Sequence, residues 1–202
     1  MDKIFTKNIE HESAVKHVTG KAIYTDDISE PKNLLHAVIG YSNCSKGVIK
    51  KIDYKDVLSS EGVVDIITEK DIEGINDVGP IFKGDKIFTS KNIEYYGQPI
   101  FAVIAKTNNL AKKAALKVKI DLKISKPIVS IEEALKKKSF VLKPKHLTRG
   151  NIKDGFKKSD NILKGKLYSG GQDHFYLEGQ IAMTIPQAVS YTHLTLPTIL
   201  LV

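Results

Sequence analysis

One stretch of this sequence restricts the fold more than any other. Residues 98–105 (QPIFAVIA) are apolar at nearly every consecutive position, so an extended backbone there would present apolar side chains on both faces. Such a strand lies inside a sheet and is covered on both sides by other elements. We therefore predict a central strand from Gln98 to Ala105, with more than one layer of structure packed around it.

The segments around this strand alternate between short strands and short helices. Residues 76–90 are rich in Gly, Pro and Asp, which predicts a long surface loop. Residues 110–118 carry apolar side chains at helical spacing, with lysines mostly on the other side, so one face of this helix should pack on the sheet. Further strands are predicted at residues 34–40, 47–53, 63–68, 118–124, 161–168 and 175–185, and short helical turns at 54–60, 69–73 and 131–138. The predicted class is α+β, a mixed α/β arrangement.

The charge of the chain does not indicate nucleic-acid binding. The net charge is +8, but Arg149 is the only arginine, and the lysines are spread over every segment. Arginine supplies the forked hydrogen bonds that read bases and clamp phosphates, whereas scattered lysines are typical of a solvated surface. No apolar stretch approaches the roughly 18 residues of a membrane-spanning helix, and the N-terminus has no apolar leader. We expect no nucleic-acid partner, no membrane partner and a cytoplasmic location.

Cysteine and histidine usage excludes several kinds of site. Cys44 is the single cysteine, so this chain cannot hold an iron–sulfur cluster by four thiolates, and we interpret Cys44 as a small buried apolar residue. The six histidines are not clustered at ligand spacing, and the nucleotide-phosphate and zinc motifs are absent. We predict no metal ligand in this chain.

The densest group of chemically useful residues is the segment from Gly170 to Glu178 (GGQDHFYLE). Two glycines let a backbone approach a bulky ligand closely, and the amide of Gln172 offers one acceptor and two donor hydrogens. On these properties alone, a hairpin turn followed by a core strand with Phe175 and Leu177 buried is the more economical interpretation. The segment Tyr95 to Pro99 (YYGQP) is interpreted as a structural turn into the central strand.

Across residues 8–187 the sequence resembles the molybdenum hydroxylases, the family of xanthine dehydrogenase and aldehyde oxidase. The resemblance is carried by residues 13–28 (SAVKHVTGKAIYTDDI), by residues 95–103 (YYGQPIFAV) and by the Gly170 to Glu178 segment. Residues 76–80 (NDVGP) favour the purine-oxidising branch. The resemblance implies an N-terminal lead-in at 1–19, an a/b hammerhead domain at 20–125, a linker at 126–149 and the start of the first molybdopterin-binding domain at 150–187. The Pro144 and Gly150 breaks agree with a boundary between about 140 and 150.

The resemblance also implies chemistry. The family hydroxylates an electron-poor carbon at a molybdenum cofactor, here hypoxanthine or xanthine toward urate, and passes the electrons to iron–sulfur clusters and FAD. Those two cofactors are expected on partner subunits. Gln172 and Gly171 are the residues that match the family's cofactor-binding positions. The family's catalytic glutamate has no counterpart in residues 1–202, so this chain alone is expected to be inactive.

Two alternatives stay open. A sister enzyme of the same family would act on aldehydes or other heterocycles, and a protein of another class would be a non-catalytic scaffold or binding module.

Residues 188–202 (AVSYTHLTLPTILLV) depart from the family pattern, and residues 179–202 contain no charged side chain. We interpret residues 188–202 as a foreign tail, a translated adapter sequence joined to a truncated reading frame; the alternative is a divergent native strand. Long-read sequencing of the genomic locus should show the frame diverging from this sequence after the codon for Gln187. A locus that encodes residues 188–202 as written would contradict this interpretation.

Overall fold

The computed structural model describes residues 10–176, 178–186 and 192–195. The chain divides into two compact units, one formed by Lys32–Asn151 and the other by Met1–Pro31 together with Ile152–Val202. Short 3₁₀ helices lie at Thr25–Asp27 and Glu69–Asp71. The other elements, in chain order, are α1 (Ala14–Val18), β1 (His36–Tyr41), β2 (Gly47–Asp53), α2 (Lys55–Leu58), β3 (Val63–Ile67), β4 (Asn92–Ile93), β5 (Pro99–Ala105), α3 (Asn108–Ala115), β6 (Lys119–Ile124), α4 (Ile131–Lys136), α5 (Ile152–Lys157), β7 (Met183–Pro186) and β8 (Thr192–Thr195).

The predicted central strand is confirmed as β5, the middle strand of a three-stranded antiparallel sheet in the order β1-β5-β3. Phe101 and Val103 on this strand are fully buried. The ring of Tyr54 meets the ring of Phe101 edge-on, with centroids 5.2 Å apart, and burial raises the pKa of Tyr54 to about 12. Ile100 and Ala102, on the other face of β5, are 2% and 4% exposed, so apolar side chains from both faces of this strand form the centre of the first unit.

The predicted helix is confirmed as α3, which packs one face against β1 and β5. Ala111 and Ala114 are buried on that face, where their small side chains let the helix approach the sheet closely. Thr107 caps the helix, because its hydroxyl oxygen accepts a hydrogen bond from the Leu110 amide at 3.3 Å. Lys112 and Lys113 lie exposed on the opposite face.

A second antiparallel sheet has the order β4-β2-β6. The predicted strands at 47–53 and 118–124 are confirmed as β2 and β6, with Val48 opposite Lys123. The short strand β4 was not predicted, because two residues cannot show the alternation that reveals a strand. Its Ile93 is nevertheless among the most buried side chains of the first unit.

The second unit differs most from the sequence-based expectation. The predicted strand at 161–168 is wrong: these residues form no helix or strand, and Leu163, Leu167 and Tyr168 are exposed. No described strand pairs with them, and an extended segment without a hydrogen-bonding neighbour is not a stable strand. Of the predicted strand at 175–185, only the residues from Met183 onward form a strand. Leu177 lies outside the described residues.

Helices α1 and α5 were not predicted. Helix α5 is only six residues long and contains Gly155, so its helical signal in the sequence is weak. Strand β7 pairs antiparallel with β8, with Thr184 opposite Leu194. In the part of the chain that the structure describes, no helix is both long and apolar enough to cross a lipid bilayer.

The contact between Gly40 and Phe101 provides a stability test. Gly40 on β1 lies opposite Phe101, and a Cβ atom at Gly40 would stand 2.2 Å from Cζ of the Phe101 ring. Gly40→Ala should therefore lower the free energy of unfolding by about 1–3 kcal/mol or more, because the buried ring must move. Urea denaturation of the full chain measures this change.

Gly74→Ala is the matched control, since a Cβ there meets nothing within 4 Å and its backbone is not in the left-handed region. We expect this control to change the stability by less than about 0.5 kcal/mol. Equal unfolding midpoints for the two variants would contradict the packing described for Phe101.

Candidate cofactor-binding segment

The segment from Gly170 to Glu178 lies between α5 and β7, in a stretch whose described residues form no helix or strand. Gln172 is exposed. A Cβ atom at Gly170 or Gly171 would meet nothing within 4 Å, so the backbone is open on that side. The two predicted cofactor-binding residues are thus adjacent and accessible.

Gly171 and Gln172 have free hydrogen-bonding capacity. Within the described residues neither takes part in a hydrogen bond. The Gln172 amide can present two donor hydrogens and one acceptor oxygen, and the Gly171 backbone adds an unshielded N–H and carbonyl. A bulky group with a polar edge, such as a pterin or a metal that carries an oxo ligand, could form hydrogen bonds with these donors and acceptors.

The residues after Gln172 do not form the hairpin and buried strand that were the alternative interpretation. Phe175 has a backbone φ of 47° and a side chain that is 92% exposed. The side chains of Tyr176 and Gln180 are joined by a hydrogen bond, in which the amide of Gln180 donates to the phenol oxygen. Leu177, the other residue expected to be buried, lies outside the described residues.

Metal ligands are not assembled in the part of the chain that the structure describes, where no three His, Cys, Asp or Glu side chains come together. His174 is exposed beside the cofactor-binding segment. Cys44 is buried, as interpreted from the sequence, and its backbone is held by the hydroxyl of Ser42, which donates to the Cys44 carbonyl at 2.8 Å. Cys44 is therefore a structural residue.

The turn from Tyr95 to Pro99 has the structural role expected of it. Gly97 adopts a φ of 81°, which favours glycine. Gln98 is buried, and its side-chain oxygen accepts a hydrogen bond from the Glu94 amide at 2.8 Å. The Gln98 carbonyl accepts another from the Ser42 amide at 2.8 Å. This amide side chain holds the turn and is not free for a ligand.

The sequence did not reveal how the loop at residues 76–90 is held. The carboxylate of Asp77 accepts hydrogen bonds from the amides of Gly79 at 2.9 Å and Gly84 at 2.6 Å. The side chain of Asn76 donates to the Phe88 carbonyl and accepts from the Phe88 amide. An Asn-Asp pair followed two residues later by glycine is the signal of such a turn. The loop is thus an organised feature rather than an irregular connection.

One further hollow, of 320 Å³, lies on the second sheet and is lined by Lys51, Asp53, Lys119, Ile120 and Asp121. At its edge Lys119 pairs with Asp56 at 2.7 Å, which lowers the pKa of Asp56 and raises that of Lys119. Both side chains are exposed, so the pair contributes little stability. Because this hollow is lined by both lysine and aspartate side chains, its charge favours neither anionic nor cationic ligands.

Two protein families match the chain in succession. Residues 19–126 match "Aldehyde oxidase and xanthine dehydrogenase, a/b hammerhead domain". Residues 132–198 match "Molybdopterin cofactor-binding domain". The second match contains Gly171 and Gln172. The architecture is therefore a hammerhead domain followed by the start of a molybdopterin-binding domain, as predicted. The origin of residues 188–202 stays a prediction.

Curated relatives include both branches of the same family. The chain is 38% identical to aldehyde oxidase 2 of Rattus norvegicus over 180 residues, which are 89% of this chain and 13% of the relative. It is 37% identical to xanthine dehydrogenase/oxidase of Gallus gallus over 177 residues, which are 88% of this chain and 13% of the relative. The chain thus spans about 13% of the length of these relatives.

Solved structures give the same fold. The aldehyde oxidoreductase of Desulfovibrio desulfuricans superposes with a TM-score of 0.55 at 33% identity, over 63% of this chain and 15% of that one. CO dehydrogenase of Oligotropha carboxidovorans superposes with a TM-score of 0.54 at 20% identity, over 62% of this chain and 16% of that one. The second likeness concerns the fold alone.

The Asp77 loop gives a pH-dependent prediction. The amides of Gly79 and Gly84 lower the pKa of Asp77, so the ionised carboxylate favours the folded loop. This contribution is present above the ordinary aspartate pKa of about 3.9 and is lost as the pH falls through the lower, folded-state pKa. Asp77→Asn should reduce the hydrogen-exchange protection of both amides roughly threefold to tenfold near pH 7.

Asp85→Asn in the same loop is the control, because no amide of the loop donates to the Asp85 side chain. As the pH falls and the Asp77 carboxylate becomes protonated, the difference in protection between wild-type protein and Asp77→Asn at Gly79 and Gly84 should shrink. An Asp85→Asn effect as large as that of Asp77→Asn would show that the loop responds only to its net charge.

Proposed function

Because the chain belongs to the aldehyde oxidase and xanthine dehydrogenase family, we propose that it forms part of the molybdenum-binding subunit of a cytoplasmic, purine-oxidising xanthine dehydrogenase. The observation that carries this proposal is the succession of a hammerhead domain and a molybdopterin-binding segment, each matched separately and in this order. The proposed reaction is the hydroxylation of hypoxanthine or xanthine toward urate.

Gln172 and Gly171 are the residues proposed to face the molybdenum cofactor. Their open backbone and unused hydrogen-bonding groups fit a bulky polar ligand. When bound, that cofactor supplies the metal-assisted hydroxylation of an electron-poor carbon. The Gln172 amide would orient the polar edge of the cofactor by donating and accepting hydrogen bonds, and Gly171 would let the backbone approach it.

Electron transfer requires groups that this chain does not offer. Its one cysteine is buried in the first unit, and a two-iron cluster needs four thiolates. We therefore place the 2Fe–2S clusters and FAD on a partner subunit of the same dehydrogenase. We likewise assign no catalytic base among residues 1–202.

The choice of purine over aldehyde rests on the sequence of the Asn76 to Pro80 loop. The identities to aldehyde oxidase 2 and to xanthine dehydrogenase/oxidase are nearly equal, so overall similarity favours neither substrate. An aldehyde-oxidising enzyme of the same family is the second candidate, because 38% identity to an aldehyde oxidase supports it equally well.

Isolation of the enzyme that contains this chain tests the proposal. The preparation should contain molybdenum, measured by mass spectrometry, and should turn over hypoxanthine and xanthine faster than an aromatic aldehyde. Faster aldehyde turnover would move the enzyme to the other branch. A preparation without molybdenum would contradict the proposal and favour the alternative of a non-catalytic scaffold or binding module.

Gln172→Ala in that enzyme tests the assigned residue. Loss of a hydrogen-bonding group beside a metal centre should lower kcat for the purine roughly 10- to 100-fold or reduce the molybdenum content by a similar factor. Asn161→Ala, which removes another exposed amide between α5 and β7, is the matched control and should change neither quantity. Equal activity and metal content in all three proteins would remove Gln172 from the site.

A further inference from the structure

Positive charge is distributed unevenly between the two units. The first unit, residues 32–151, carries 22 of the 31 lysines and arginines but only 13 of the 23 acidic residues. Its last part concentrates this excess. From Ala134 to Asn151 there is no Asp or Glu, whereas five lysines and one arginine are present. We name residues 134–151 the basic segment.

Most cations of the basic segment have no partner within the described residues. Lys137 pairs with Glu133 at 2.7 Å along helix α4. The remaining cations form no ion pair with any described side chain: Lys136, Lys138, Lys143, Lys145 and Arg149. All of them are exposed. Closely spaced like charges repel one another, so an anionic surface would relieve an unfavourable arrangement as well as add attraction.

Apolar side chains are interleaved with these cations. Phe140, Val141, Leu142 and Leu147 are all at least half exposed, and Val141 and Leu147 are fully so. If these lysines served only to keep the surface hydrated, exposed apolar side chains would not be needed beside them. Alternating cations and apolar groups suit a partner that offers carboxylates around small apolar contacts.

The backbone of the basic segment favours a protein partner. After α4 ends, with Lys138 in the left-handed region at φ 54°, residues 139–151 form neither helix nor strand and include Pro144. A membrane-surface segment is commonly a continuous amphipathic helix, which this backbone does not provide. Nucleic-acid recognition relies on arginine forks, and Arg149 is alone.

From these observations we propose that the basic segment is a docking site for an acidic protein surface. A backbone free of helix and strand from Ser139 onward lets the segment follow the contour of such a partner, with lysines meeting carboxylates and Phe140 to Leu142 covering apolar contacts. The proposal does not depend on the redox reaction, because it uses only residues of the first unit.

Two variants of the full chain with the same net charge test the site. The segment variant is Lys136→Gln, Lys138→Gln and Lys143→Gln. The control variant is Lys106→Gln, Lys112→Gln and Lys113→Gln, which neutralises three exposed lysines at and beside α3. All six side chains are exposed, so both variants should keep the wild-type unfolding midpoint.

Binding is measured by fluorescence anisotropy with labelled poly-L-glutamate of about 20 residues in 50 mM and 150 mM NaCl. The segment variant should bind roughly tenfold more weakly than wild type at the lower salt, and the control variant less than about twofold. The difference should shrink at the higher salt, since exposed charges are screened.

Two further probes separate the classes of partner: oligothymidylate, and vesicles of phosphatidylglycerol and phosphatidylcholine. Weaker binding of poly-L-glutamate by the segment variant, together with weaker wild-type binding to both other probes, supports an acidic protein partner. An equal loss in the two variants would overturn the proposal, because only total charge would matter. Tighter wild-type binding to the oligonucleotide or to the vesicles would also overturn it.

Discussion

The burial of strand β5 is the constraint on which the first unit depends. Phe101 and Val103 lose all contact with water, and strands β1 and β3 supply backbone partners on both sides. The Phe101 ring occupies the space above Gly40, and Tyr54 packs against its edge. The small side chains of Ala111 and Ala114 then bring α3 onto the same sheet. These contacts explain why three separate stretches of sequence share one short apolar strand as their centre.

Elements that bury apolar side chains within the chain could be predicted from the sequence. Strand β5 is a continuous apolar run, β2 is a short β-branched segment, and helix α3 has apolar side chains at helical spacing. Each lies close to its predicted position. Strand β4 could not be predicted, because Ile93 owes its burial to neighbours distant in sequence. Residues 161–168 show the opposite failure. Their short apolar pairs, Ile162-Leu163 and Leu167-Tyr168, suggest a strand locally. A strand also needs a hydrogen-bonding neighbour, which the local sequence does not report.

The candidate site was identified from a sequence motif, whereas the elements of the fold were predicted from patterns of apolar residues. Gln172 lies on an exposed, irregular backbone, so neither periodicity nor burial marks it. Gln172 was identified because the Gly170 to Glu178 segment resembles the motif of a family that binds a cofactor at this position. Gln98 is the instructive contrast: it also follows a glycine, yet its amide oxygen is committed to the Glu94 amide in a buried turn. The two glycine–glutamine pairs therefore differ in accessibility, because the amide oxygen of Gln98 is committed to the turn and Gln172 is exposed.

Among the residues that the structure describes, strand β6 lies at an edge of the second sheet, with one side of its backbone facing away from β2. Such an edge is a template on which a strand from another molecule could add, the first step toward aggregation. Along β6 the exposed positions are Lys119, Asp121 and Lys123, while Ile120 and Leu122 turn inward. A second copy laid antiparallel along this edge would bring lysines near lysines, and like charges opposite one another destabilise strand pairing. The alternation that places two apolar side chains in the core thus also protects newly made chains from associating with one another.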